Sequence, residues 1–279
     1  MEELILNHKT IWEPKLYFLY REERSELLGR IVENKITAEV SVELSKNFTG
    51  EKIFTVSISD YKQTNSEGLY KWVEDLMPLR KKIIFTIAED GSLESIKNYG
   101  EINNTFNDIF PGIIKKNRAE KNAELMGKEL PILMNDAGRL AKSWRYAPPY
   151  INLFAGIHGK KYIKENEIIG FRILPSFIGI KEIPVYTKEK LVNAGSRKEP
   201  NIEIEVEGEL AKDKIDQQKL SSFVRLLRDN PMAVTEMTLR YNENHILNQY
   251  HWTMQSTCMS SIFIPGFLYR METTVIKEI

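Results

Sequence analysis

Ile53-Phe54-Thr55-Val56-Ser57-Ile58 and Ile202-Glu203-Ile204-Glu205-Val206 open two stretches of this chain that have the same order of predicted elements. In each stretch, a strand with alternating residues is followed by a short amphipathic helix and then by a β-hairpin. Trp72 and Phe223 occupy matching helix positions, 151 residues apart (223 − 72). The repetition predicts two pseudo-related halves within one chain.

The two predicted hairpins have different turn sequences. Asp90-Gly91 accepts the positive φ angles that a tight primed turn requires. In the second half, a helix at 216–228 precedes strands at 234–241 and 245–254, with the turn near Asn242-Glu243-Asn244. The last strand is expected at 262–276, broken by Pro265-Gly266.

Strict alternation elsewhere predicts a sheet with one buried face and one hydrated face. It is clearest from Asn34 to Leu44, where aliphatic residues alternate with threonine, serine and glutamate. Residues 100–147 lack alternation and have helical spacing, with one apolar stripe beginning at Ile102 and another that includes Leu130. Pro131 is expected to kink or break the second helix, and Pro111 is expected to interrupt or end the first.

These patterns predict an α+β fold with a mostly antiparallel sheet that is curved or a half-open barrel, and with segregated helices. Pro148-Pro149 closes the helical block. The predicted division is therefore residues 1–149, the N-terminal β half plus the helices, and residues 150–279, the C-terminal β half. One continuous domain is the alternative.

Composition and charge limit the class of protein. Hydrophobic residues make up 42% and charged residues 28% of 279 residues, as in folded globular proteins. Lys+Arg and Asp+Glu number 39 each, which disfavours nucleic acid because its binding depends on a basic excess. No apolar run approaches the ~20 residues of a membrane span, and the start lacks the pattern of a signal peptide. We expect a cytoplasmic protein.

No motif predicts catalysis, a metal or a cofactor. The four histidines, among them His158 and His245, contain no pair with the i, i+4 spacing of a zinc-binding helix. Neither a nucleophile elbow nor a phosphate-binding glycine motif occurs. Cys258, the only cysteine, is expected in a loop, with His251 as the nearest candidate base.

Aromatic residues concentrate where the helical block meets the second half. Tyrosine and tryptophan combine an apolar body with a polar group, which suits pockets and interfaces, although filling the core is the alternative. The predicted binding residues are Trp144, Arg145, Tyr146, Tyr150, Phe154, Tyr250 and Trp252.

The leading hypothesis is a non-catalytic cytoplasmic binding protein that acts through protein–protein interaction, as an assembly component, an adaptor or a toxin-neutralising protein. The alternative is a carrier of an amphipathic small molecule in a half-open β-barrel, which requires an apolar cavity of about 300–1,000 Å³. A further alternative is an enzyme with a dispersed site. That alternative requires His158 or His251 within hydrogen-bond reach of Cys258 or of a buried carboxylate.

Overall fold

A computed structural model describes most of the chain. The described residues are 3–6, 15–27, 31–46, 50–67, 69–120, 123–177, 180–196, 198, 200–214, 238–248, 255–264 and 267–277. The strands are β1 (Glu3–Ile5), β2 (Lys15–Leu27), β3 (Ile31–Lys46), β4 (Lys52–Gln63), β5 (Lys82–Ile87), β6 (Leu93–Ile96), β7 (Lys161–Ile163), β8 (Glu167–Phe177), β9 (Ile180–Asn193), β10 (Asn201–Leu210), β11 (Thr238–Asn248), β12 (Gln255–Ile264) and β13 (Phe267–Lys277). The helices are α1 (Leu69–Asp75), α2 (Tyr99–Lys116), α3 (Ala123–Met134), α4 (Ala137–Arg145) and α5 (Tyr150–Leu153), with 3-10 turns at Met77–Arg80 and Lys212–Lys214.

Eleven strands form one antiparallel sheet in the order β6-β5-β4-β3-β2-β13-β12-β11-β10-β9-β8, and β1 pairs separately with β7. The chain runs from β2 at the centre to the edge strand β6 and then through the helices. It re-enters the sheet at the opposite edge with β8 and returns through β13, which pairs with β2. The α+β class and the antiparallel sheet agree with the sequence-based prediction.

Alternating polarity separates the two faces of the sheet. In β3, Ile36, Val40 and Val42 are buried, whereas Thr37 and Glu39 are exposed. The predicted half-buried strand is therefore confirmed. We call the buried side the inner face and the hydrated side the outer face.

The helices cover the inner face and require the sheet to curve. Helix α2 buries Ile102, Phe106 and Ile113, and the first two share a core with β3, β4 and β5. Helix α4 contacts both edge strands, β6 and β8. In a flat sheet, ten spacings of about 4.8 Å would place those edges roughly 50 Å apart. A single helix is about 10 Å wide, so the sheet must bend around the helices. It is not closed into a barrel.

The two halves place strands at similar intervals. Strands β8, β9 and β10 begin 152, 149 and 149 residues after β2, β3 and β4 (167 − 15, 180 − 31, 201 − 52). Both triplets progress in the same direction across the sheet. The relation between the halves stays a prediction, and the predicted helix at 216–228 lies outside the described residues.

The predicted second hairpin is wrong. Asn242-Glu243-Asn244 lies in the middle of β11, which is continuous from Thr238 to Asn248. Polar residues are typical of a turn, but Glu243 is buried and is partnered there by Arg172 of β8 and by His245 of its own strand. No glycine is present to supply the positive φ of a primed turn.

Two further predictions about the C-terminal half need correction. Cys258 is a buried strand residue of β12 and does not lie in a loop. The segment predicted as one long strand at 262–276, broken at Pro265-Gly266, belongs to two antiparallel strands, β12 and β13, which end and begin on either side of that dipeptide and in which Ile264 pairs with Phe267.

The second stripe is broken into two helices, as predicted, because α3 ends at Met134 and α4 begins at Ala137, but neither proline ends its own helix. Pro111 lies inside α2 at an exposed position, and Asn107, whose carbonyl loses its amide donor, is exposed to water as well. Pro131 lies inside α3. The helix break follows it at Asp136, whose side chain accepts a hydrogen bond from the Arg139 amide at 3.0 Å and caps α4. None of the helices among the described residues has the length and apolar content needed to cross a membrane.

We expect Phe85→Ala to lower the free energy of unfolding by about 3–5 kcal/mol, because it leaves a cavity in a packed core. Phe85 is 0% exposed, and its ring lies 4.9 Å from that of Phe154 and 6.2 Å from that of Tyr150. Phe171→Ala, at a position 46% exposed, is the matched control and should cause a much smaller loss. Urea denaturation of both variants measures the difference. Equal losses would contradict the assignment of Phe85 to the core.

Candidate functional site

The inner face of the C-terminal strands contains charged residues where the N-terminal strands have aliphatic ones. Burying charge is costly unless the charges are paired and hydrogen-bonded. We define the buried polar cluster as Lys160, Tyr162, Arg172, Thr187, Glu189, Tyr241, Glu243, His245 and Ser256.

An ion pair between β8 and β11 forms the centre of this cluster. The Arg172 guanidinium donates to Glu243 Oε1, and the Tyr241 hydroxyl donates to the same oxygen. Burial alone raises the pKa of Glu243, but the charge of Arg172 and the hydrogen bond with His245 outweigh it and lower this pKa to about 2. Glu243 is therefore ionised within the core.

Glu189 forms the second centre, toward the edge of the sheet. Its Oε1 lies 2.6 Å from Lys160 Nζ and 3.7 Å from the Arg172 guanidinium. Its Oε2 accepts a hydrogen bond from the Tyr162 hydroxyl at 2.9 Å. These contacts fix the segment after α5, which includes Lys160 and Tyr162, against β9.

Glu243, His245 and Ser256 form a chain of hydrogen bonds with the composition of a hydrolase triad. His245 Nε2 lies 2.6 Å from Glu243 Oε2, and Ser256 Oγ lies 2.9 Å from His245 Nδ1. All three side chains are at most 2% exposed, and the Asn152 amide donates to the Ser256 carbonyl at 3.3 Å. In this state the serine hydroxyl is out of reach of a substrate, and the chain connects β11 to β12.

The cysteine has the properties of a core residue. Burial raises the pKa of the Cys258 thiol, and the charge of Glu243 raises it further. The thiolate, which is the nucleophilic form, is therefore disfavoured. His245 lies within hydrogen-bond reach of a buried carboxylate, and His251 lies outside the described residues.

A cavity of about 80 Å³ lies beside the buried polar cluster, between the end of α4, the turn from β5 to β6, and strands β8 and β9. Charged and hydroxyl-bearing side chains supply much of its lining. They include Asp90, Ser92, Arg145, Lys160, Thr187 and Glu189.

The structure divides the predicted aromatic binding residues between core and cavity. Trp144, Tyr150 and Phe154 are buried, and the rings of Trp144 and Tyr150 stack at 6.2 Å. Arg145 and Tyr146 line the cavity, as does Phe154. A binding role for these five residues stays a prediction. The other two, Tyr250 and Trp252, lie outside the described residues.

The sequence-based search missed an exposed apolar surface on the outer face at the β8 edge. Its members are exposed by 68% (Ile169), 46% (Phe171), 37% (Ile173) and 36% (Tyr186). The rings of Phe171 and Tyr186 lie 5.8 Å apart across the β8–β9 pair. We call these four residues the outer patch. The available signal was the run Ile168-Ile169-Gly170-Phe171, which lacks the polar alternation of a strand with one hydrated face.

No family model and no curated protein matches this chain. Among solved structures, the chain is similar to one titled "Lipid-protein interactions in lipovitellin", with a TM-score of 0.43 and 10% sequence identity. The match covers 95% of this chain and 25% of the other, so this chain spans about a quarter of that protein's length. A likeness of this degree does not bear on function.

We expect Arg172→Met to lower the free energy of unfolding by about 3–5 kcal/mol, because the Glu243 charge stays buried without its main partner. Arg172→Met with Glu243→Leu should recover much of that loss, since the double variant contains no unpaired charge. Lys188→Met is the control, because Lys188 and Glu167 form an exposed pair at 3.6 Å and contribute little. Chemical denaturation tests the series, and an Arg172→Met variant as stable as the control would contradict the pairing.

Acidification should destabilise the protein through Glu243. Its pKa is about 2 in the folded chain against an ordinary 4.5, so its contribution to stability is fully present above about pH 4.5 and is lost as the pH falls toward 2. Glu243→Gln should lower stability at neutral pH and make the decline over this window shallower. Urea titrations at several pH values give the free energy of unfolding as a function of pH for the unsubstituted chain and for Glu243→Gln. The same pH dependence in both proteins would count against an ionised Glu243.

Proposed function

We propose that this chain is a non-catalytic binding protein, and that its partner is another protein that docks on the outer patch. The observation that supports this proposal is the exposure of Ile169, Phe171 and Ile173 on one face of an edge strand. Exposed apolar patches of this kind are typical of interaction sites.

The geometry of the edge favours addition of a strand from the partner. Among the described strands, β8 has one neighbour, β9, so one side of its eleven-residue backbone offers unpaired amides and carbonyls. The opposite edge, β6, has four residues. An extended partner segment could pair with β8, while its alternate apolar side chains contact the outer patch.

Charges beside the outer patch favour a partner segment with mixed charges. Lys188 of β9 lies next to Ile169 of β8 and pairs with Glu167 at 3.6 Å. On the adjacent strand, Glu205 faces Lys190 and Glu207 faces Lys188. Because this surface has charges of both signs, apolar contacts would supply most of the affinity and the charged border would set the register.

The amphiphile carrier is the second candidate, and the curved sheet around the helices is the feature that favours it. The helices nevertheless fill much of the inner face, since Ile102, Phe106 and Leu140 belong to the core and Leu130 packs against it. The cavity of about 80 Å³ is also small beside the ~300–1,000 Å³ of ordinary ligand sites. A carrier role would thus require the helices to move.

Two secondary proposals accompany this function. The matching spacing of β2–β4 and β8–β10 supports a duplicated origin of the two halves. The single free cysteine, Cys258, fits a cytoplasmic location because thiols persist in reducing compartments.

Ile169→Glu tests the docking proposal, because it places a charge in the centre of the outer patch next to Lys188, where the free sheet tolerates it. Ile132→Glu is the matched control, since Ile132 is 50% exposed on α3, away from β8. Affinity purification from the native host with quantitative mass spectrometry should recover a stoichiometric partner with the unsubstituted chain and with Ile132→Glu. With Ile169→Glu the partner should be lost.

The proposal would be overturned if Ile169→Glu recovered the partner as well as the unsubstituted chain does. It would also be overturned if no stoichiometric partner were recovered at all. Light scattering on the purified chain separates self-association from binding of another protein. A dimer that dissociates on Ile169→Glu would show that the patch binds a second copy, and the proposal of another protein would then be wrong.

A further inference from the structure

Two glycines, Gly170 and Gly156, line the cavity beside the buried polar cluster. A Cβ at Gly170 would lie 2.8 Å from Thr187 Oγ1, and a Cβ at Gly156 would lie 3.3 Å from Asp90 Oδ2. Glycine at these positions therefore lets Thr187 and Asp90 lie close to the backbone of the cavity wall, where a larger residue would crowd them. At about 30 Å³ per water, a cavity of about 80 Å³ holds roughly three waters or a ligand of a few non-hydrogen atoms.

Two residues that line this cavity each have a buried polar atom with no hydrogen-bond partner among the described residues. One is the Oγ1 of Thr187, whose side chain is 1% exposed, and the other is the Nε of Arg145. Leaving a buried hydroxyl or guanidinium N–H unsatisfied is unfavourable, so such groups usually have a ligand or water as partner. Thr187 lies on the sheet side of the cavity and Arg145 at the end of α4.

The charges around the cavity are balanced. Arg145 and Lys160 line it together with Asp90 and Glu189, and the charge of a fifth lining residue, Arg172, is matched by Glu243. An anionic ligand would be repelled by the two carboxylates, and a cationic ligand would be repelled by the two basic side chains. A ligand that has one charge of each sign can place each charge next to an opposite one.

Both acids accept hydrogen bonds, and they differ at one oxygen. Lys160, Arg172 and Tyr162 together contact both oxygens of Glu189. Asp90 Oδ1 accepts hydrogen bonds from the Ser92 amide at 2.9 Å and from the Ser92 hydroxyl. Asp90 Oδ2, in contrast, has a long contact of 3.4 Å with Arg145, beyond the 2.7–2.9 Å or so that is typical of a charge-assisted hydrogen bond. Asp90 Oδ2 is therefore the carboxylate oxygen with capacity for a further donor.

We propose that this cavity binds a small zwitterion of the amino-acid class, with one ammonium and one carboxylate group. The ammonium donates to Asp90 Oδ2, and the carboxylate accepts from the Thr187 hydroxyl and from Arg145 Nε. The volume restricts the ligand to the smallest members of the class. This site lies on the inner side of β8 and does not depend on docking at the outer patch.

Isothermal titration calorimetry and thermal shift with glycine and alanine test the proposal on the full chain. Acetate and methylammonium, which have one charge each, are the matched probes. Glycine or alanine should bind saturably and raise the melting temperature, whereas neither single-charge probe should do so at equal concentration. Saturable binding of acetate or methylammonium alone would overturn the zwitterion assignment. No saturable binding of any probe would show that the cavity holds water alone.

Thr187→Val removes the hydroxyl while keeping the shape of the side chain. Because that hydroxyl has no partner in the described structure, the variant should fold with unchanged or higher stability and bind the zwitterion about 2- to 10-fold more weakly. Thr86→Val is the control, because Thr86 is also buried but its hydroxyl bonds Ser95 Oγ at 2.7 Å. It should lose stability and keep affinity. Equal affinity in the two variants would overturn the role of Thr187.

Discussion

The antiparallel sheet formed by the described residues has eleven strands, so its inner face is far larger than any one helix can cover, and the short helix α4 lies against both edge strands. That contact determines the rest of the architecture. The edges can approach one helix only if the sheet curves, and a curved sheet encloses α2, α4 and α5 on its inner side. Core, cavity and helix–sheet junction all follow from the requirement to bury one face.

The two ends of the inner face meet this requirement in different ways. Near β3 to β5 the helices pack aliphatic and aromatic side chains against the sheet, with Phe85 near the centre. Near β8 to β12 the sheet instead buries Arg172, Glu189 and Glu243, whose desolvation must be offset by mutual pairing. Hydrogen-bonded charges have fewer acceptable arrangements than aliphatic contacts, so the polar cluster fixes the register of β8 against β9 and β11 more strictly than packing alone would.

Sequence patterns predicted the structural features that depend on residues close together in the chain. The alternation of β3, the Asp90-Gly91 turn and the helical stripe at Ile102 are local signals, and the structure bears them out. Sequence patterns did not predict contacts between residues that are distant in sequence. Glu243 resembled a turn residue because its partner, Arg172, lies 71 positions away on another strand, and no local pattern indicates that pair. The edge position of β8 was equally hidden, because strand order in an antiparallel sheet follows from the whole topology.

Strand β8 contributes residues to both the outer patch and the cavity, and the pleat of the strand explains how. Successive side chains point to opposite faces, so Ile169, Phe171 and Ile173 lie on the outer face while Gly170 and Arg172 face the cavity and the polar cluster. A strand with one hydrated face would need polar residues at the outer positions, but β8 has Ile169, Phe171 and Ile173 there. On the inside, the buried Leu174 follows the usual pattern, whereas Gly170 and Arg172 depart from it. Arg172 pairs with Glu243 and Glu189, and Gly170 allows the close approach of Thr187, so contacts within the chain account for both. Packing among the described residues gives no comparable reason for the exposed apolar residues at the edge where β8 has one described neighbour, whereas a protein bound there would account for them.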